Sequence, residues 1–177
     1  SALYGSSALA AVIKIYTNLP NEERLHTDLL IGAGSESTYK LKASLNGKIR
    51  KTQIGIEVLQ HKTDGINSYL SDMWPDSDGT TYGTVGFSLT NQLSKKLKIG
   101  VQGLYINGTR EFDYQFPETE EESIDEQWSI RAEYKYRSDW DMFFSAGHYL
   151  DQITDYTSGI QYTENKTRNR TFKWSNR

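Results

Sequence analysis

The chain contains no cysteine, which excludes disulfides and thiolate metal sites. No run of about 18 apolar residues occurs, so a membrane-spanning helix is excluded. A spanning β-strand is not, because about 9 to 11 residues with every second one apolar suffice. No basic leader followed by an apolar segment opens the sequence, as expected of a mature or truncated polypeptide. GxSxG, HExxH and P-loop patterns are missing, which removes the common hydrolase and nucleotide routes. The three histidines, His26, His61 and His148, are scattered and do not have metal-ligand spacing. A net charge of -3 and a pI near 5.6 supply no basic field, which sets nucleic acid aside as a partner.

What the chain does hold is an unusual pairing of properties. Only 36% of its 177 residues are hydrophobic, yet aromatics reach 12%, with 12 Tyr and 4 Trp. Mean hydropathy is -0.68, low for a well-buried globular core. Disorder predicts few aromatics and no alternation, and the chain violates both expectations. Transmembrane β-barrels account for the pairing: a polar lumen face, hydrophilic loops and aromatic girdles at both interfaces.

Period-two alternation supports this reading. Leu25, Thr27, Leu29, Ile31 and Ala33 form one run, and Tyr39, Leu41, Ala43 and Leu45 the next, set against Lys40, Lys42, Ser44 and Asn46. Asn46-Gly47 predicts a hairpin turn before Ile54, Ile56 and Val58. Further runs follow at Val85 to Leu89 and Leu97 to Tyr105. The clearest is Trp128, Ile130, Ala132, Tyr134 and Tyr136 against Ser129, Arg131, Glu133, Lys135 and Arg137. Trp140 to Ala146 and a last strand with Phe172 and Trp174 bring the total to about eight. Tight turns are predicted at Asn46-Gly47, Ser94 to Lys96 and Ser138-Asp139. Long loops are predicted at His61 to Thr80, Glu111 to Ile124 and Asp151 to Glu164. Alternating short and long connections fit an outer-membrane barrel, and Trp128, Tyr134, Tyr136, Trp140 and Phe144 fit its girdles.

The first long loop carries Asp64, Asp72, Asp76 and Asp78 before Gly79, and Asp113 lies in the next. Clustered carboxylates suit calcium (Ca2+), a hard ion taking roughly 6 to 8 oxygen ligands. The alternative is a solvated acidic loop. PETEEES, Pro117 to Ser123, reads as a self-repelling mobile charge run from which Glu120 or Glu121 could assist a cation site. Tyr69, Trp74, Tyr82, Phe112, Tyr114 and Phe116 lie on or beside the outer loops, where they are candidates for substrate contact.

Several stretches resemble a known family. SALYGSSALAAVIKIYT, Ser1 to Thr17, resembles the closing strand of the plug domain of TonB-dependent outer-membrane receptors. GLYINGTREFDYQF, DEQWSIRAEYKY and TFKWSNR are similar to the cobalamin (vitamin B12) transporter branch of that family. The resemblance implies residues 1–20 as the end of a plug and 21–177 as the first part of a barrel wall that needs about 22 strands to close. It implies a bacterial outer-membrane location and uptake of a large scarce ligand without bond making. The energy would come from TonB, whose docking box would lie upstream of Ser1. It further implies that calcium orders the outer loops through Asp64, Asp76, Asp78 and Asp113. Met73, Trp74 and Pro75 depart from the family's acidic run.

A partial wall leaves two unpaired strand edges, so the fragment is expected either to pair them with further chains or copies, or to curl into a small closed barrel. Other readings are a siderophore or haem receptor of the same family, an outer-membrane barrel enzyme using His61 or His148, and a soluble β-sandwich interaction module.

Overall fold

The computed structural model describes residues 23–67, 77–112 and 119–176. They form eight antiparallel strands in one sheet, in sequential order: β1 (Leu25–Ala33), β2 (Tyr39–Ile49), β3 (Thr52–Thr63), β4 (Thr80–Gln92), β5 (Leu97–Phe112), β6 (Thr119–Arg137), β7 (Trp140–Thr157) and β8 (Ile160–Asn176). The chain is all-β, an up-and-down partial β-barrel wall. The plug-like segment expected at residues 1–20 lies outside the described residues.

Every strand obeys the two-residue pleat, so register alone assigns side chains to faces. One face collects Leu29 and Ile31 from β1, Leu41 and Leu45 from β2, Ile56 and Val58 from β3, Phe87 and Leu89 from β4, and so on to Phe172 and Trp174. The other collects Lys42, Glu57, Ser88, Gln102, Arg131 and Glu133. Among the described residues no hydrophobic side chain is buried; Trp128 is 46% and Ile130 40% exposed. A soluble β-sandwich requires a second sheet covering such a face, and the described residues supply none.

The apolar band crosses the strands obliquely. The row through Tyr39, at the band's rim on β2, passes Lys62, Thr81, Thr109, Glu122 and Thr154 and reaches Glu164 on β8. On β8 the band starts only at Phe172, eight positions further on (172 minus 164). A slide of about 27 Å along the chain over about 29 Å of strand spacing corresponds to a tilt of about 43°, the inclination of strands in barrel walls.

Connections differ from expectation in three places. Asn46 and Gly47 are not the hairpin turn; β2 runs on to Ile49, Ile49 pairs with Thr52, and the turn is Arg50-Lys51, with Arg50 at φ 53°. Gly47 instead allows close backbone approach: Lys48 N donates to Arg24 O at 3.1 Å, and a Cβ at Gly47 would strike that carbonyl. Nor is Asp151 to Glu164 a long loop. β7 and β8 join through Ser158 (φ 49°) and Gly159 (φ 74°), two successive left-handed residues suited to a tight hairpin. Finally, Glu120 to Ile124 belong to β6, with Glu121 paired to Arg110 at 3.2 Å. Charges distributed over two wetted faces are compatible with a paired strand, so repulsion does not unseat it. The turns at Ser94 and at Ser138-Asp139 stand where expected; backbone amides of Lys96 and Leu97 both donate to Ser94 Oγ at 3.1 Å.

β1 and β8 make no contact, so the small closed barrel, one of the two outcomes expected, is not formed. Eight strands enclose an interior just wide enough for side chains, and closure would press Lys42, Glu57, Arg131 and Glu133 into it. Desolvating those charges opposes closure. Among the described residues the sheet is open, and no strand pairs with the outer edge of β1 or β8.

Candidate functional site

Two surfaces gather polar groups: the polar face itself, and the sheet end where the longer connections meet. The polar face is hollowed by an open depression of about 890 Å3 lined by Glu57, Ser88, Thr90, Gln102, Gln127 and Arg131. Gly55, Gly86 and Gly100 floor it because no side chain stands there. Around it the polar groups engage one another: Lys42 Nζ lies 2.7 Å from Glu57 Oε2, and Ser44 Oγ donates to Asp28 Oδ2 at 3.2 Å. Such a face requires water or a polar occupant.

At the loop end, the two arms of the β3–β4 connection are tied together. Asp78 N donates to Ile66 O at 3.2 Å, and Gly65 N to Thr63 Oγ1 at 3.1 Å. Gly65 adopts φ 69°, and a Cβ there would collide with the carbonyl of Asp78. Asp64 N also donates to Glu36 O at 2.9 Å, joining the β1–β2 turn to this base. On the other side Gly79 N donates to Glu111 Oε2 and Glu111 N to Gly79 O, both at 2.9 Å. A second depression of about 460 Å3 opens beside Asp78, Glu111, Phe112, Glu120, Glu122 and Tyr156. There the Tyr156 hydroxyl donates to Glu122 Oε2 at 3.2 Å, and this hydrogen bond to a carboxylate raises the phenol above its ordinary range.

Of the residues singled out from sequence for calcium or substrate contact, Asp64, Asp78, Tyr82 and Phe112 are placed, as are Glu120 and Glu121 on β6. Asp72, Asp76, Asp113, Tyr69, Trp74, Tyr114 and Phe116 lie outside the described residues. Asp64 and Asp78 flank the pinned loop base, but Asp64 faces Lys62 Nζ at 3.9 Å. Among the described residues no three acidic or imidazole groups converge into a cation site. Tyr82 is a β4 strand residue stacked on His61, ring centroids 4.8 Å apart. Phe112 ends β5 beneath the Arg110 guanidinium, 5.6 Å from its ring centre. Sequence reasoning missed Glu111, which joins the loop base only through a contact 32 residues distant.

The apolar face has its own anatomy. Tyr136 and Trp140 meet edge to face at 5.2 Å beside the tight turn, while Trp128 lies 5.6 Å from His148 toward the loop end. These aromatics border the aliphatic band on both sides, as in a membrane girdle. His148 stands in this apolar row and His61 on the opposite face, so the two histidines cannot share one site.

No protein-family model matches the chain, and no solved structure matches it. Among curated proteins, it is similar to the vitamin B12 transporter BtuB of Photobacterium profundum, with 25% identity over 180 residues. The alignment covers 99% of this chain and 29% of that relative's length.

Proposed function

We propose that this chain is a section of the wall of a TonB-dependent outer-membrane receptor that takes up cobalamin or a comparably large, scarce ligand. The carrying observation is a coreless tilted sheet that concentrates large apolar side chains on one girdled face, where Leu29, Ile31, Leu41, Ile56, Phe87, Ile130 and Phe172 stand exposed. Water disfavours exposed apolar patches beyond a few hundred Å2, whereas acyl chains accept them. The similarity to a vitamin B12 transporter adds weight to this reading. On it, the apolar face meets lipid and the polar face lines the lumen. The open edges of β1 and β8 pair with further strands, and the loop end faces outside.

Transport here is binding and release, without covalent chemistry. Tyr82 and Phe112, with Tyr69, Trp74, Tyr114 and Phe116, offer flat surfaces to the ligand at the outer end. Asp64, Asp72, Asp76, Asp78 and Asp113 would hold calcium, which would neutralise the loop carboxylates and draw the loops together. TonB would supply the work of release through a region beyond this chain.

Equilibrium binding of cobalamin to the intact receptor, with calcium and then with a chelator, tests the reading. Saturable binding that weakens on chelation is expected. Binding indifferent to the chelator would remove calcium from the proposal. No binding in either condition would overturn cobalamin in favour of a siderophore or haem.

A further inference from the structure

β8 continues the apolar face with a row of cations. Asn165, Thr167, Asn169 and Thr171 take the polar face, whereas Lys166, Arg168 and Arg170 follow one another on the apolar face, directly beyond Phe172 and Trp174. Phe172 is 78% and Trp174 70% exposed, and all three cations are exposed too. The rows fix their neighbours: Arg170 lies across from His148 and Trp128, Arg168 from Leu150 and Glu126, Lys166 from Gln152 and Ile124. Lys166 Nζ donates to Gln152 Oε1 at 2.6 Å, and no ion pair involves Arg168 or Arg170 among the described residues. Two acids of this face border the row: Glu126 is two strands from Arg168, about 10 Å away by strand spacing, and Glu164 is two residues from Lys166, about 7 Å along the strand, on the side away from Arg168 and Arg170.

Hydration alone does not call for this composition. Where the same face leaves the apolar band it carries Gly83 and Thr81 on β4, Asn107 and Thr109 on β5, and the acids Glu126 and Glu122 on β6; among the described residues three cations in succession occur on this face only in β8. Three cations gathered at one point of the rim, in a chain of net charge -3, mark a place built for negative charge. Their position names the kind. They stand where acyl chains give way to headgroups, and guanidinium forks match phosphate oxygens in pairs.

We infer that Lys166, Arg168 and Arg170 hold the phosphate groups of an anionic lipid in the leaflet bordering the loop end, with Phe172 and Trp174 against its acyl chains. This rests on the membrane reading above. The complementarity is electrostatic at the headgroup and hydrophobic below it, and one lipid molecule satisfies both. Basic residues near an anionic surface each strengthen attachment by roughly fivefold. Three together give about a hundredfold.

The test uses the intact receptor in neutral detergent micelles doped with bisphosphorylated lipid A, with retained lipid counted by native mass spectrometry. K166Q/R168Q/R170Q is expected to lose retention by about a hundredfold, and R168Q and R170Q singly by about fivefold each. The polar-face variant K98Q/K173Q and the addition of inorganic phosphate should leave retention unchanged, while dephosphorylated lipid A should bind the parent no better than it binds the triple variant. Equal losses in the triple and polar-face variants would overturn the proposal, as would displacement by free phosphate or retention unchanged in the triple variant. A spin label at Phe172→Cys separates the two levels of argument. Access to oxygen but not to a water-soluble nickel chelate places that face in lipid, so that a failed lipid assay then sinks the headgroup site alone. Access to the nickel chelate sinks the membrane reading and the site with it.

Discussion

On β6, Trp128, Ile130, Ala132 and Tyr134 leave one side of the backbone, and Ser129, Arg131, Glu133 and Lys135 leave the other. The two faces share every backbone hydrogen bond yet demand opposite surroundings. In a soluble protein the first face would be core and the second surface; here neither is covered, and no hydrophobic side chain is buried among the described residues. Stability in this architecture therefore does not come from an apolar interior. On the membrane reading proposed above, it comes from a ladder whose amides have no competing water beside the apolar face.

The sharpest way to break this comparison is to place the same charge on each face in turn. On the proposed membrane reading, Ile130→Arg in the full-length protein should cost about 2 to 4 kcal/mol, the penalty of a cation at the lipid face of a barrel. Ser129→Arg, one residue away, should stay within about 0.5 kcal/mol. Urea unfolding midpoints in lipid vesicles read both, and equal costs would erase the distinction between the faces.

A smaller effect sharpens the role of the backbone beneath both faces. Gly47→Ala drives a methyl into the Arg24 carbonyl and should cost about 1 to 3 kcal/mol, with faster amide exchange in β1. Gly159→Ala meets nothing within 4 Å and carries only its left-handed φ of 74°, so about 1 kcal/mol is expected from the same measurement. The smallest effect belongs to the polar face. A double-mutant cycle on Lys42 and Glu57, half-exposed at 2.7 Å, should return about 0.2 to 1 kcal/mol and shrink with added salt. A coupling of several kcal/mol there would mean that this face is dry.

Much of the wall was legible because the pleat writes itself into sequence as alternation, and alternation from Leu25 to Tyr136 needs no knowledge of neighbours. The misplaced boundaries have local causes. Asn46-Gly47 carries turn chemistry, but the same glycine also suits a close backbone approach, and only the position of Arg24 decides between the two. The distal halves of β7 and β8, with Asp151, Gln152, Thr154 and Asp155 against Glu164, Asn165, Lys166 and Thr167, are polar on both faces and so resemble a loop. At the site, Asp64 and Asp78 could be grouped from their shared connection. Glu111 could not, because its carboxylate reaches Gly79 from a different strand.

Composition and period two by themselves determined an all-β chain, its apolar and polar faces, and the strands on which aromatics border the band, since each depends only on residues two apart. Tertiary pairing alone decided the oblique path of that band, the pinned base at Gly65 and Gly79, and the gathering of Lys166, Arg168 and Arg170 at the rim beside His148 and Leu150. Those features depend on register between strands, and register is fixed by hydrogen bonds across the sheet that no single stretch of sequence contains.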